Sequence, residues 1–367
     1  MKKLIKVIHV GEYVHGGVAT YIQSILNIDK DIFDEYLILS DNKSSHQWDL
    51  SDDKVFYYDY NRSLWGVMNG IKSVYLYIKK IKPDIIYCHS TWAGIIGRLA
   101  NLFYNKKIVV IYNSHGWSFL RDTARWKKTI YAKVEIIFSK ITDVIINVSK
   151  YEYNSAIRFG IKEQNMKLIY SGSKMPTKSV EKSLFPTDGA INILFVGRFD
   201  RPKGLDILLE AIKRYNNYNI HLYVAGAAVI SDYIVDNYSE YDITNITFLG
   251  WIPHEKIYEY YLSCDVVIMP SRWEAFGLVA IEAMKYKKPV IVSNRGALPE
   301  LVEDGVNGYI FDLDNINSLY DILGKLKKEN LKKMGENAYN VFLDKFTSEK
   351  MREAIKKVYL DSLFLPR

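Results

Sequence analysis

Two segments of the chain combine the residue types that hold phosphates and sugars. Phe195-Val196-Gly197-Arg198-Phe199-Asp200-Arg201-Pro202-Lys203-Gly204 reads as an apolar strand, a loop and the start of a helix. Gly197 permits a tight turn, while Arg198 and Lys203 set two cations beside the free N–H groups and positive dipole end of that helix. Such a convergence binds an anion, and a diphosphate is the natural occupant. The second segment, Pro270-Ser271-Arg272-Trp273-Glu274-Ala275-Phe276-Gly277-Leu278-Val279-Ala280-Ile281-Glu282-Ala283-Met284, also leaves an apolar strand, Val266–Met269, and enters a helix. Glu274 lies in the loop and Glu282 follows eight positions later, about two helical turns, which predicts both carboxylates on one side, accepting from sugar hydroxyls. The competing readings are a solvated turn for the first segment and, for the second, a capping carboxylate plus one solvated glutamate.

The first half of the chain carries weaker signals. Gly16-Gly17 opens a helix shortly after the first strand and would let backbone approach a phosphate or sugar closely. Ser114-His115-Gly116 follows the apolar run Ile108–Tyr112, and a lone histidine there is either structural or a sugar contact. His15 and Glu12, in the same loop as the glycine pair, are candidate acceptor contacts.

The elements that must position these residues alternate between strand and helix. Leu4–Val10, Tyr36–Leu39, Ile85–Cys88, Ile108–Tyr112 and Val144–Val148 are short apolar, β-branched runs of the kind found in parallel strands covered on both faces. Val18–Ile28 and Gly70–Ile81 have helical spacing. The second half repeats the theme: strands at Asn192–Val196, Ile220–Ala225, Ile246–Leu249, Val266–Met269 and Pro289–Val292, with a helix over Gly204–Arg214. Two such sets predict two doubly wound parallel sheets, interrupted around Ser173–Ala190 by Pro176, Pro186 and Gly189. The last amphipathic stretch, Ser348–Phe364, can close on either domain. In such sheets ligands bind beyond the carboxyl ends of the strands, which is where all of the candidate residues fall.

At 367 residues the chain is long enough for two cores. Its two cysteines, Cys88 and Cys264, exclude a disulfide framework and fit a reducing compartment. No run of eighteen apolar residues is present, and the N-terminal apolar run is too short for a signal segment, so the expectation is a cytoplasmic protein. The net charge of +7 is uneven: residues 1–178 carry 26 Lys+Arg against 16 Asp+Glu, and the remainder 23 against 26. By overall charge, the basic first half and near-neutral second half suggest that one half meets an anionic partner beyond the local diphosphate site. Within the first half, residues 116–140 interleave Trp117, Phe119, Leu120, Trp126, Ile130, Tyr131 and Phe138 with Arg121, Arg125, Lys127, Lys128, Lys133 and Lys140. That mixture suits an interfacial helix on an anionic membrane, or else an ordinary helix with a solvated basic face. No nucleic-acid module is present.

Together the two strong segments resemble those of the retaining family-4 glycosyltransferases, whose donor domain carries G-R-x-x-x-x-K-G and then E-x7-E with F-G between. The match falls on Gly197, Arg198, Lys203, Gly204, Glu274, Phe276, Gly277 and Glu282, in order and each on a strand–loop–helix element. The resemblance implies an α/β GT-B fold, two Rossmann-like doubly wound parallel-sheet domains facing a central cleft. Residues 1–175 would bind the acceptor and 190–345 the nucleotide-sugar donor, with 346–367 as a helix crossing back to the first domain. It further implies that Arg198 and Lys203 hold the donor diphosphate, Glu274 grips the transferred sugar and Glu282 takes the ribose hydroxyls, while Phe276, Gly277, Leu278 and Val279 back the phosphates with main chain. His115 matches the family's active-site histidine. Where the family often has Asn-Gly, an apolar residue and Asp, this chain has Tyr170-Ser171-Gly172-Ser173-Lys174, which loosens any inference about acceptor contacts there.

The implied activity is transfer of a hexose or N-acetylhexosamine from a nucleotide-diphosphate sugar, with UDP as the leading base, to a hydroxyl of a glycan or lipid-linked acceptor in cell-surface polysaccharide synthesis. The implied route is front-face displacement with retention, the leaving phosphate helping to deprotonate the acceptor. No Asp-x-Asp pair in donor position and no metal-ligand spacing is evident, so no metal or other cofactor is expected: Arg198, Lys203 and the helix end stand in for a divalent ion. Two alternatives stay open, a non-catalytic nucleotide-binding protein and an epimerase or phosphorylase on the same architecture.

Overall fold

The computed structural model describes residues 3–41, 44–104, 108–176, 182–187, 189–215, 217, 219–228 and 244–364. The chain divides into two compact units, Met1–Gly172 with Ser348–Arg367, and Ser173–Thr347. Part of the proline- and glycine-interrupted stretch around 173–190 lies outside the described residues.

In the first unit the strands β1 (Ile5–Gly11), β2 (Phe33–Ser40), β3 (Val55–Tyr58), β4 (Ile85–His89), β5 (Val109–Asn113), β6 (Val144–Asn147) and β7 (Met166–Leu168) form a parallel sheet in the order β3-β2-β1-β4-β5-β6-β7. Helices α1 (Gly17–Ile25), α2 (Leu64–Ile81), α3 (Thr91–Tyr104), α4 (Arg125–Ser139) and α5 (Lys150–Arg158) supply the crossovers. Alternate residues of the strands face opposite layers. Ile8, Val10, Ile38, Ile86 and Cys88 build an apolar core with Val74, Ile78, Ile96 and Ala132 of α2, α3 and α4. The other face holds His9, Glu35, Tyr87 and His89, all buried.

The second unit is built the same way. Strands β8 (Ile191–Val196), β9 (Ile220–Ala225), β10 (Ile246–Gly250), β11 (Val266–Met269), β12 (Val290–Ser293) and β13 (Gly308–Phe311) are parallel in the order β10-β9-β8-β11-β12-β13. Around them lie α6 (Leu205–Tyr215), α7 (Ile257–Ser263), α8 (Leu278–Lys285), α9 (Asn317–Lys325) and α10 (Lys328–Lys345). Ile193, Phe195, Leu222, Val224, Ile268 and Ile291 pack with Leu208, Leu209 and Ile212 of α6 in its core.

The final helix, α11 (Ser348–Ser362), belongs to the first unit. Arg352 donates to the Ser24 and Leu26 carbonyls at 3.0 and 2.8 Å and to that of Asn27, and Lys356 pairs with Asp29 at 2.6 Å. These carbonyls end α1, where acceptors lack helical partners and the dipole favours a cation.

One surface expectation needs correction. Trp117 and Phe119 do not belong to an interfacial helix: both are fully buried and stacked, with ring centroids 5.1 Å apart, ahead of a helix that begins only at Arg125. The indole N–H of Trp117 donates to Asn147 at 2.9 Å, which fixes the ring inside the unit. Trp126, Ile130 and Ile137 of α4 remain exposed.

Candidate active site

Each sheet reverses its strand order once, between β1 and β4 in the first unit and between β8 and β11 in the second. Loops leaving two adjacent strands in opposite directions open a crevice at such a point. The donor candidates lie on the loops after β8 and β11.

There the structure brings Lys203 and Glu274 together, with Nζ 2.6 Å from Oε2. Gly204 holds Lys203 in place. It adopts φ +69°, and a Cβ at that position would stand 2.0 Å from the Pro270 carbonyl oxygen, so only glycine lets the β8 loop close onto the β11 loop. The Arg272 amide completes the junction by donating to the Pro202 carbonyl at 2.8 Å. Arg198 is paired separately, with Asp200 at 2.8 Å, and is exposed. The two cations expected on one anion thus have different carboxylate partners here.

Glu274 and Glu282 are not two turns of one helix. Helix α8 starts at Leu278, behind Gly277 in the left-handed region, so only four helical residues precede Glu282. Glu282 instead accepts from the buried Tyr261 hydroxyl at 3.0 Å, with His254 Nε2 4.0 Å away. Tyr261 is held as a neutral donor, its phenol pushed well up by burial first and by Glu282 next. The amides of Leu278 and Val279 open α8 at the end of β11, where a helix offers unpaired N–H groups to an anion.

In the first unit, Gly16 occupies the N-cap position of α1 at φ +57°, and Gly17 is the helix's first residue. Glu12 is buried and ion-paired with Arg62 at 2.7 Å, which ties it to the loop before α2, while His15 is exposed. His115 follows β5 in the left-handed region at φ +50°, braced by its own amide donating to Asn113 Oδ1 at 2.9 Å. Its Nε2 is 3.0 Å from His89 Nδ1, and His89 Nε2 is 3.1 Å from His9 Nδ1. Burial pushes the His115 imidazole down to about 3, and burial together with the flanking histidines drives His89 well below the usual range.

Family comparisons fit this arrangement unit by unit. The family models described as "Glycosyltransferase Family 4" and "Glycosyl transferases group 1" match residues 37–173 and 177–341. An uncharacterised 41.2 kDa protein of the cps region of Klebsiella pneumoniae is 34% identical over 86% of this chain and 88% of its own length. An uncharacterised glycosyltransferase of Methanocaldococcus jannaschii is 30% identical over 94% of both. The chain belongs to the GT-B glycosyltransferases. An Escherichia coli UDP-Gal:alpha-D-GlcNAc-diphosphoundecaprenol alpha-1,3-galactosyltransferase is 26% identical over 82% of this chain and 81% of its own. Among solved structures, sucrose-phosphate synthase from Thermosynechococcus elongatus superposes with a TM-score of 0.83 at 20% identity, covering 98% of this chain and 99% of that one. HepE from Anabaena, in complex with UDP and glucose, gives 0.79 at 18% identity, covering 98% and 100%.

Two residues of this glycosyltransferase that sequence reasoning passed over help to build its second-unit site. Arg272 forms a bidentate pair with Asp206 in the first turn of α6, both contacts 2.7 Å, and also donates to the Arg201 carbonyl. Gly296, at φ +59°, lets the chain after β12 lie against the Glu274 main chain, where a Cβ would meet the Glu274 carbonyl oxygen at 2.2 Å. Arg272 sits inside the segment that the sequence singles out, whereas nothing at Gly296 signals its partner twenty-two residues earlier. An Asp-x-Asp, Asp312-Leu313-Asp314, follows β13, away from the loops after β8 and β11. Its carboxylates are engaged by Asn294 and Arg295 at the edge of the sheet, two strands from β11. Among the described residues no group of three or more His, Cys, Asp or Glu side chains is placed to hold a metal ion, and no helix is long and apolar enough to cross a membrane.

Proposed function

We propose that this glycosyltransferase moves a hexose or N-acetylhexosamine from a UDP-sugar to a hydroxyl of a glycan or lipid-linked acceptor in cell-surface polysaccharide synthesis, with retention and without a metal. The observation that carries the reading is the Lys203–Glu274 pair on the facing loops of β8 and β11. A cation at a helix start neutralises a diphosphate as it leaves, and a carboxylate beside it accepts from the hydroxyls of the sugar that diphosphate carries. Arg198 is the second diphosphate cation, exposed and free to swing from Asp200 to a ligand at little cost. Gly197, Phe276, Gly277, Leu278 and Val279 line the phosphates, Glu282 takes the ribose, and His115 in the first unit contacts the sugar. Gly16 and Gly17 bring main chain close to it.

The choice of UDP is supported by the UDP complex of HepE, and the acceptor class by the name of the E. coli galactosyltransferase together with the cps-region relative. The exposed Trp126, Ile130 and Ile137 beside Arg125, Lys127, Lys128 and Lys133 support contact with an anionic leaflet, the inner face of the cell membrane. The decisive test is a thermal-shift screen against UDP, GDP, dTDP and CDP, repeated on Arg198→Ala and Lys203→Ala. A shift with UDP that both variants lose is expected; a shift retained by both would remove the diphosphate from these cations. NMR of the product linkage tests retention, and an inverted anomer would sink it.

A further inference from the structure

Among the described residues the first unit buries an array of which the proposed reaction uses only the outermost member, His115. It begins at Glu35 on β2, whose Oε1 faces His9 Nε2 on β1 at 3.5 Å. It continues from His9 Nδ1 to His89 Nε2 on β4 at 3.1 Å, and from His89 Nδ1 to His115 Nε2 at 3.0 Å. Glu35, His9 and His89 are all but inaccessible, and only His115 is partly open. The rings of His9 and His89, and of His89 and His115, stack at 5.3 Å in each case. Tyr21 of α1 sets its edge on His115 at 4.6 Å, Tyr87 lies 4.1 Å from His89, and Tyr359 of α11 lies over Tyr87 at 6.2 Å. Three imidazoles in line are expensive to bury unless every contact between them is a hydrogen bond.

A neutral imidazole has one N–H and one lone pair, so an array of three has only two consistent hydrogen-bond directions. A carboxylate at its inner end selects between them. The Glu35 carboxyl accepts from the Ile28 amide at Oε2 (3.2 Å), and its Oε1 lies 3.5 Å from His9 Nε2, close but outside hydrogen-bond geometry. With His9 neutral, this carboxylate favours the hydrogen on His9 Nε2, which leaves His9 Nδ1 as an acceptor from His89 Nε2–H. His89 Nδ1 in turn accepts from His115 Nε2–H. His115 Nδ1 is then a lone pair, and among the described residues it has no hydrogen-bond partner.

We infer that Glu35, acting through His9 and His89, fixes the tautomer of His115 so that its Nδ1 is presented as an acceptor for a hydroxyl of the substrate. Glu35, His9 and His89 are thereby positioning residues. The reverse direction would turn the same atom into a donor and leave the lone pair of His9 Nε2 against a carboxylate oxygen. Holding the imidazole neutral suits this role, because imidazolium has no acceptor left, and both His89 and His115 have their charged forms disfavoured by burial. The contribution to transfer rests on the reading above that His115 touches the sugar; the tautomer itself does not.

The test is long-range 1H–15N correlation on full-length protein labelled with 15N-histidine, His115 being assigned by loss of its signals in His115→Gln. The wild type is expected to show His115 protonated at Nε2. Glu35→Gln, whose amide can donate toward His9, is expected to move the proton to Nδ1 and to lower kcat about 10–100-fold, by analogy with loss of the partner that orients a metal-ligating imidazole, with little change in KM for the donor. Glu35→Asp keeps the charge and is expected to keep the wild-type tautomer and most of the rate. A His115 proton on Nδ1 in the wild type, or one that stays on Nε2 in Glu35→Gln, overturns the inference. If Glu35→Gln unfolds, the Glu35→Asp spectrum alone decides, since a switched tautomer with the charge retained also overturns it. A wild type with the stated tautomer but no transferase activity would instead count against the proposed function.

Discussion

The two units share a parallel architecture and a single reversal of strand order, yet they place their chemistry at opposite depths. In the second unit the candidate groups ride on loops beyond the strands: Arg198 is exposed, and Lys203 and Glu274 are partly buried. In the first unit His9 and His89 are built into strands, Glu35 stands beside them, and only His115 reaches the surface. A loop-borne ion pair can open for a ligand, because water and the ligand replace what it loses. An array buried against tyrosines cannot, and the use proposed for it lies in being held to one hydrogen-bonding pattern. On the proposed reading, the difference separates a unit that binds by charge from one that orients by geometry.

The sharpest way to break that contrast is to remove charge from the second unit. Lys203→Ala and Glu274→Ala are each expected to cut kcat/KM by about 10²–10³, some 3–4 kcal/mol, the range for a lost electrostatic stabiliser. Both should melt close to the wild type, since the pair is partly solvated. A variant that loses stability and keeps its rate would make the pair a structural strut and end the comparison as drawn.

How much of this was open to sequence reasoning follows the same division. The Gly197–Gly204 and Pro270–Met284 segments are legible because local order carries them: strand, loop and helix follow one another within a few residues, so glycine, cation and carboxylate announce a site by spacing alone. The spacing of Glu274 and Glu282 as two helical turns was misjudged because helical periodicity was extended through Gly277, where the helix had not yet begun. The histidine array was illegible for a different reason. His9, Glu35, His89 and His115 are separated by 26 residues or more, apart from nothing in their local pattern, and only the parallel register, with His9 beside Tyr87 and Gly11 beside His89, brings them into line. Likewise Trp117 and Phe119 looked like surface anchors until Asn147 and the core claimed them. Strand runs such as Ile220–Ala225 and Val266–Met269 were readable to the residue because β-branched side chains covered on both faces leave little ambiguity.

Acid sharpens the contrast at intermediate size. His89 and His115 have folded pKa values below the 6.5 of an unfolded histidine, His115 at about 3. Below pH 6.5 the unfolded chain therefore binds protons that the folded unit refuses. Stability is full above that value and falls as the pH drops from 6.5 toward 3, by up to about 1.4 kcal/mol per pH unit for each histidine. In the second unit only His221 is pushed down in this way among the described residues, by burial. Urea melts at pH 7.5 and 5.0, followed by hydrogen exchange in each unit, should show the first unit losing more, and His89→Gln/His115→Gln should flatten its slope. Equal losses in the two units would show that the array does not titrate as a buried one.

The smallest effect concerns how the first unit is closed. Its sheet ends before residue 172, yet α11 returns from the far end of the chain to cover Glu35 and Tyr87 with Tyr359, whose own phenol is driven well up by burial and then by Glu35. Arg352 is the clasp, a cation on carbonyls that α1 cannot satisfy itself. Because the guanidinium is only partly buried, water takes over part of its work when it is removed, and Arg352→Ala should cost about 1–2 kcal/mol. For a unit of this size that is roughly 2–8 °C in melting temperature. The loss should appear as faster amide exchange at the end of α1 and along α11, with no change in the shift produced by UDP, since the diphosphate contacts are proposed for the other unit. Exchange that quickened equally around Lys203 and Glu274 would mean that the two units unfold as one, and that the separation of binding from orientation is not a separation of stabilities.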